Sequence, residues 1–115
     1  MPSHFDLIIR HGDLIDGSGA PRRAADVAVR DGVIAAIGIG PDATADEVVD
    51  ATGMVVTPGF IDTHTHDDWM VFQSPQMLPK VTQGVTTIIA GNCGISLFPL
   101  VTDTIPPAPL DIMRG

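Results

Sequence analysis

The sequence predicts a two-part α/β chain, with a front of short β elements followed by a strand–helix–strand unit whose strands run parallel. Three observations predict it. Short apolar runs in the first third are broken by turn residues, pattern and composition change at Pro58-Gly59, and a continuous β-branched run, Val85-Thr86-Thr87-Ile88-Ile89-Ala90, follows a short helical segment.

Asp6-Leu7-Ile8-Ile9-Arg10 and Leu14-Ile15 read as strands about a turn at His11-Gly12, and Asp16-Gly17-Ser18-Gly19-Ala20-Pro21 as a loop. Arg22-Arg23, the only basic pair, fits a solvated loop. Residues 25–30 and 33–37 flank Asp31-Gly32, a strong hairpin signal, and Val27 and Val29 alternate with Ala28 and Arg30 as in a half-buried strand. A polar stretch, 41–47, leads to Val48-Val49, a turn near Thr52-Gly53 and the strand Met54-Val55-Val56-Thr57.

Beyond Pro58-Gly59, Phe60-Ile61-Asp62-Thr63 is an extended run ending at His64 and His66. Residues 74–83 have helical character. Proline is barred from a helix interior, so Pro79 is expected at the first helical position, with the helix running through Gln83 and Gly84 as its stop. The run 85–90 is expected to be buried on both faces, as in a parallel sheet. Strand, helix and strand within about thirty residues make a βαβ unit. The tail, 97–115, carries Pro99, Pro106, Pro107 and Pro109 and reads as a loop, with a helix beginning at 110–114.

The 115 residues suffice for one small domain with a modest core. With 14 acidic residues against 6 basic, the formal charge is −8, which excludes nucleic acid and anionic membrane as expected partners, since both need clustered Lys and Arg. His4, Asp6 and Arg10 interrupt the first apolar run, so no signal peptide is expected, and no stretch is long enough to span a bilayer. A single cysteine cannot form an internal disulfide, and a cytoplasmic location is expected. The 12 glycines and 10 prolines are scattered among apolar runs and signal turns, not low complexity.

The chemistry concentrates in His64, His66 and Cys93. Side chains two apart on a strand point the same way, so both imidazoles are aimed from one strand end into one pocket. Imidazole suits Zn²⁺ and similar ions. Cys93, in Gly91-Asn92-Cys93-Gly94, follows the second strand and offers a thiolate; an ordinary buried thiol is the alternative. Ligand sites in parallel α/β folds lie at the carboxyl ends of strands, which is where all three residues fall. Asp67 and Asp68 read as partners for imidazole N–H groups or as solvated caps, Asn92 and Ser96 as turn residues with hydrogen bonds near the metal or substrate as the alternative, His4 and His11 as structural, and Trp69 and Phe72 as packing against the barrel in preference to binding substrate.

Three segments resemble the amidohydrolase superfamily, and within it the N-acyl-D-amino-acid deacylases (D-aminoacylases). Asp6-Leu7-Ile8-Ile9-Arg10-His11-Gly12 with Ile15-Asp16-Gly17-Ser18-Gly19 is similar to the first strands of the superfamily's small β-sandwich. Thr57-Pro58-Gly59-Phe60-Ile61-Asp62-Thr63-His64-Thr65-His66-Asp67-Asp68 resembles its first barrel strand with the metal-binding HxH. Lys80-Val81-Thr82-Gln83-Gly84-Val85-Thr86-Thr87 with Gly91-Asn92-Cys93-Gly94 resembles the deacylase branch, where a cysteine takes the place of a carboxylated lysine. The resemblance implies the N-terminal part of an amidohydrolase: a partial β-sandwich over 1–57, then over 58–115 the opening βαβ of an incomplete TIM-like (β/α)8 barrel, a fold that needs about 250 residues when complete.

It implies further that His64 and His66 ligate one metal and that Cys93 ligates the tighter site or bridges two. The cofactor is then Zn²⁺, in one tight site with a second, weaker site as the alternative. Two more histidines and a proton-carrying aspartate are expected beyond this chain. The implied reaction is hydrolysis of the linear amide of a small N-acyl-D-amino acid. Two other readings stand beside it: a catalytically inactive truncated fragment, and a cyclic-amide hydrolase of the dihydropyrimidinase or dihydroorotase kind, against which Cys93 argues.

Overall fold

The computed structural model describes residues 4–96 together with Val101, Asp103, Thr104, Ala108 and Asp111. Apart from those isolated positions, the loop expected over 97–115 and the helix expected at 110–114 lie outside the described residues. The chain divides into two compact units, Met1–Pro58 and Gly59–Gly115.

Seven strands build the first unit: β1 (His4–Arg10), β2 (Asp13–Leu14), β3 (Arg23–Ala24), β4 (Val27–Arg30), β5 (Val33–Ile37), β6 (Thr44–Asp50) and β7 (Val55–Val56). They form a four-stranded sheet in the order β5-β4-β1-β6 and a three-stranded sheet in the order β3-β2-β7. The β4–β5 hairpin turns on Asp31 (φ 53°) and Gly32 (φ 73°). Two consecutive positive φ values suit the right-handed twist of the flanking strands, and an Asp-Gly pair tolerates them best. The Asp31 N–H also donates to Asp6 Oδ2 at 2.6 Å, tying the turn to β1.

Ile8, fully buried, packs with Phe5 and Ala28 at the centre of the core, and Ala36, Ile39, Ala43 and Ala45 close around them. A second apolar space of about 210 Å³ lies between Ile9, Val29 and Ile34 of the larger sheet and Leu14 and Val56 of the smaller. At the end of β1, Arg10 pairs with Asp26 at 2.8 Å and donates to the Ala43 carbonyl at 2.8 Å.

Two strands of this unit depart from the sequence reading. The second part of the polar stretch expected to lead into Val48-Val49, residues 44–47, is instead the first half of β6, which pairs parallel to β1 at the sheet edge. An edge strand tolerates polar residues, and the histidines read as structural fasten it: His4 reaches Thr44 and Asp46, each at 3.1 Å, and His11 reaches Asp50 at 3.0 Å. Arg23, expected in a loop, lies in β3, because Asp16 holds its guanidinium at 2.8 Å and returns the chain alongside β2. The Ser18 hydroxyl and N–H and the Arg23 guanidinium together hold the Asp16 carboxyl well below the usual range.

The second unit contains β8 (Phe60–Thr65), α1 (Met70–Gln73), α2 (Leu78–Val81) and β9 (Val85–Ala90). β8 and β9 are parallel neighbours, as the βαβ pattern predicts. The helix expected from Pro79 through Gln83 begins one residue earlier and ends two residues sooner. Gln83 Nε2 takes the Pro79 carbonyl that the Gln83 N–H would use in a further turn, and that N–H turns to the Lys80 carbonyl instead, while the Leu78 carbonyl accepts both the N–H and the hydroxyl of Thr82. Gly84, with φ of 80°, makes the stop. β9 was expected to be buried on both faces and is mostly exposed, because among the described residues its only sheet neighbour is β8. No helix among the described residues is long and apolar enough to cross a membrane.

Gly59 has a steric reason. A Cβ there would sit 2.7 Å from Thr86 Cβ and overlap the Thr86 Oγ1 and Cγ2 atoms. The start of β8 therefore approaches β9 too closely for any side chain. Gly59→Ala is expected to destabilise the fold by about 1–3 kcal/mol, the usual cost of overpacking. Combined with Thr86→Gly it should cost less than the two single changes added together, as urea midpoints of the four chains would measure.

Candidate metal centre

The parallel register sets Thr65 opposite Ala90, so β8 and β9 end on the same rim. Between the pairs Asp62↔Ile88 and Thr65↔Ala90 the register shifts, because β8 spans three residues where β9 spans two. This bulge interrupts the period-two alternation just before the histidines. His64 and His66 flank Thr65, which is buried, while both imidazoles are exposed, their centroids 5.8 Å apart.

Cys93 is brought to the imidazoles by a tight turn after β9. Gly91 has φ of 77°, and the Gly94 N–H donates to its carbonyl at 2.9 Å. Asn92 Nδ2 donates to the Thr63 carbonyl at 2.8 Å, pinning the turn to β8. Ser96 Oγ donates to Asp68 Oδ2 at 2.5 Å, a second link between the segments that follow the two strands. Cys93 Sγ lies 3.4 Å from His66 Nε2, and one donor atom from each of His64, His66 and Cys93 falls within 4.8 Å of the others. The sequence named these three residues, and the fold brings all three together.

The donor set fits a zinc ion. Zn–N bonds of about 2.0–2.1 Å and Zn–S bonds of about 2.3 Å at tetrahedral angles separate donors by about 3.3–3.6 Å. The sulfur–nitrogen pair already has that spacing, and small rotations of exposed rings would close the remainder. Two imidazoles and a thiolate suit a borderline-soft ion. Three donors also leave a tetrahedral position open.

A second layer of polar contacts was only partly foreseen. Lys80, from α2, places its ammonium 2.6 Å from Asp62 Oδ2, 2.8 Å from Asp67 Oδ2 and 3.3 Å from Thr65 Oγ1. Asp62 also accepts the His64 N–H at 3.2 Å, and Asp67 accepts the Thr65 hydroxyl. Lys80, then the His64 N–H, hold the Asp62 carboxyl below its ordinary range; Lys80, then Thr65, do the same for Asp67. Asp62 and Asp67 in turn raise the Lys80 ammonium above its usual value.

Asp67 and Asp68, considered above as imidazole partners, bond instead to Lys80 with Thr65 and to Ser96. Sequence reasoning passed over Asp62 and Lys80. The available signal was an aspartate two residues before the HxH; plain period-two alternation would have put it on the His64 face, whereas the bulge turns it to the Lys80 side. Trp69 and Phe72 contact each other, ring centroids 6.5 Å apart, with Phe72 largely exposed.

Comparison with known proteins gives the centre its context. Residues 47–111 match the Amidohydrolase family. The chain is 56% identical over 109 residues to a D-aminoacylase of Alcaligenes xylosoxydans xylosoxydans, a match covering 95% of this chain and 22% of that one. It is 52% identical over 112 residues to an N-acyl-D-aspartate deacylase of the same organism, covering 97% of this chain and 22% of the relative. Among solved structures, a D-aminoacylase studied for the role of its binuclear metal center superposes with a TM-score of 0.86 at 52% identity, over 95% of this chain and 23% of the other. The N-acyl-D-glutamate deacylase from Bordetella bronchiseptica, complexed with zinc and a phosphonate mimic of the tetrahedral intermediate, gives a TM-score of 0.86 at 46% identity, over 96% and 23%. The chain thus spans about a fifth of the length of the relatives it matches. With the match over residues 47–111 taking in both histidines and the cysteine, the chain belongs to the amidohydrolase family.

Proposed function

We propose that this chain carries the metal-binding front of a zinc-dependent hydrolase that cleaves the linear amide of N-acyl-D-amino acids. The observation that carries the reading is the convergence of His64, His66 and Cys93 at the ends of two parallel strands, donor atoms within 4.8 Å. His64 and His66 would bind through neutral ring nitrogens, and Cys93 as a thiolate. When bound, Zn²⁺ lowers the pKa of water toward about 7 and polarises a carbonyl. The chain's own residues hold the ion at the rim: Asn92 fixes the cysteine turn, and the contacts of Asp62 fix the histidine strand. The proton carrier to the leaving amine, an aspartate, is assigned to residues outside these 115.

In this reading residues 1–57 are part of a β-sandwich and 58–115 open a TIM-like barrel. The parallel β8–β9 pair and the rim position of the donors support that assignment. The open position in the donor set supports one tightly held Zn²⁺, with a second, weaker ion requiring further ligands. The substrate is a small molecule, and the excess of acidic residues argues against nucleic acid. A thiolate ligand is best preserved in a reducing cytoplasm, where we place the protein. A second reading, a polypeptide with no turnover of its own, is favoured by one observation: only three donors cluster among the described residues, and all three are exposed.

Two measurements test the proposal. The intact protein is expected to purify with about one equivalent of zinc, the occupancy of a structural or catalytic single-ion site. Cys93→Ala should lose most of it, and elemental analysis showing unchanged zinc in that variant removes Cys93 from the site. Offered N-acyl-D-amino acids, their L-isomers and a dihydropyrimidine side by side, the protein is expected to hydrolyse the D-compounds fastest. Faster turnover of the cyclic amide would overturn the branch while leaving metal-dependent hydrolysis standing, and zinc binding without turnover of any of the three supports the inactive polypeptide.

A further inference from the structure

We infer that Lys80 is a positioning residue for the metal centre, its ammonium clamping residues 62–67 so that His64 and His66 are presented at a fixed separation. The inference rests on the metal-binding reading above. An ammonium has three N–H donors. All three land on one short segment: Asp62 at 2.6 Å, Asp67 at 2.8 Å and Thr65 at 3.3 Å. Asp62 precedes the histidines, Thr65 lies between them and Asp67 follows. No ligand-bearing residue is touched directly.

The bulge explains how one ammonium reaches all three. An unbroken strand would send Asp62 and Thr65 to opposite faces. The extra β8 residue between the pairs Asp62↔Ile88 and Thr65↔Ala90 restores them to one side, where Lys80 meets both. His64 and His66, on either side of Thr65, are then turned away from the ammonium toward Cys93. Asp62 extends the clamp by accepting the His64 N–H, and Asp67 by accepting the Thr65 hydroxyl. Lys80 and both carboxylates are each about a quarter exposed, so solvent screens the network only in part.

A clamp and a mere charge have opposite consequences for metal affinity. A cation near a cation site weakens binding by repulsion, and removing it would free two carboxylates beside the ligands, which would tighten binding. A clamp that orders the ligands strengthens binding, and its removal loosens it. Groups that orient metal ligands typically contribute roughly 10–100-fold to affinity.

The test uses the intact, metal-stripped protein. Zinc affinity is read by competition with a chromogenic chelator, Co²⁺ reports the thiolate–metal absorption band, and urea unfolding of the metal-free chain tracks the fold separately. Lys80→Met is expected to bind zinc roughly tenfold or more weakly and to shift or weaken the cobalt–thiolate band under conditions where it remains folded. Lys80→Arg should recover part of the loss, since a guanidinium can bridge two carboxylates. Unchanged or tighter zinc binding in Lys80→Met overturns the inference. If Lys80→Met does not fold, Asp67→Ala, which leaves the Lys80–Asp62 pair in place, decides: a several-fold loss of affinity supports the clamp, and no loss overturns it. Failure of the unsubstituted protein to bind zinc would bring down both readings. Zinc lost in Cys93→Ala but retained in Lys80→Met would bring down this one alone.

Discussion

The parallel pairing of β8 with β9 is the constraint on which the site depends. Parallel strands end on the same edge of a sheet, so a histidine pair and a cysteine separated by a helical crossover can meet without a long loop. Gly59 allows the pairing to begin, because the strands there are too close for a side chain. The bulge before Thr65 then decides which side chains face the rim. A one-residue change in that register would send the histidines to the Lys80 side and leave Cys93 without partners. The Asn92–Thr63 and Ser96–Asp68 hydrogen bonds act after the pairing, fixing segments that the strands have already brought together.

The first unit follows a different economy. Its apolar centre is small, with Ile8 and Ala28 the most deeply buried residues, and polar anchors supply much of the definition. Arg10 and Asp26 sit less than a fifth exposed and tie the end of β1 to the start of β4, while Asp26 also accepts the His11 N–H. Such a pair adds little net stability once desolvation is counted, but it penalises alternative registers in which either charge would lose its partner. Short strands with weak hydrophobic patterning need that kind of specification.

What could be read in the sequence, and what could not, follows from the range of the forces involved. β9 is found at Val85–Ala90 because Gly84 and Gly91 bound a β-branched run, and the Asp31-Gly32 turn because its backbone demands are local. His64, His66 and Cys93 were visible because ligand chemistry restricts residue type and spacing. The edge strand β6 was half hidden, since Thr44 and Asp46 suit a strand only once His4 and β1 lie alongside. The β8 bulge left no mark in the hydrophobic pattern. Lys80 and Asp62, eighteen residues apart, form a pair that only the crossover creates. Burial of β9 failed for a related reason: apolar composition records what a strand can cover, and only its sheet neighbours determine what is covered.

The exposure of all three donors bears on where metal affinity comes from. Exposed imidazoles and an exposed thiol need not be carried out of water to form the site, so no separate burial cost is set against the ion's bonds here. The cost that the fold can lower is conformational: each side chain must give up rotamer freedom, and the cysteine turn must hold one backbone geometry among many. Every contact that removes freedom before the ion arrives lowers that cost and raises affinity by the same amount. The Asn92 link to Thr63, the positive-φ turn at Gly91 and the Lys80 network each remove freedom without touching the ion. Changing the donor type would alter which metal is preferred, whereas changing these contacts would alter how tightly any metal is held.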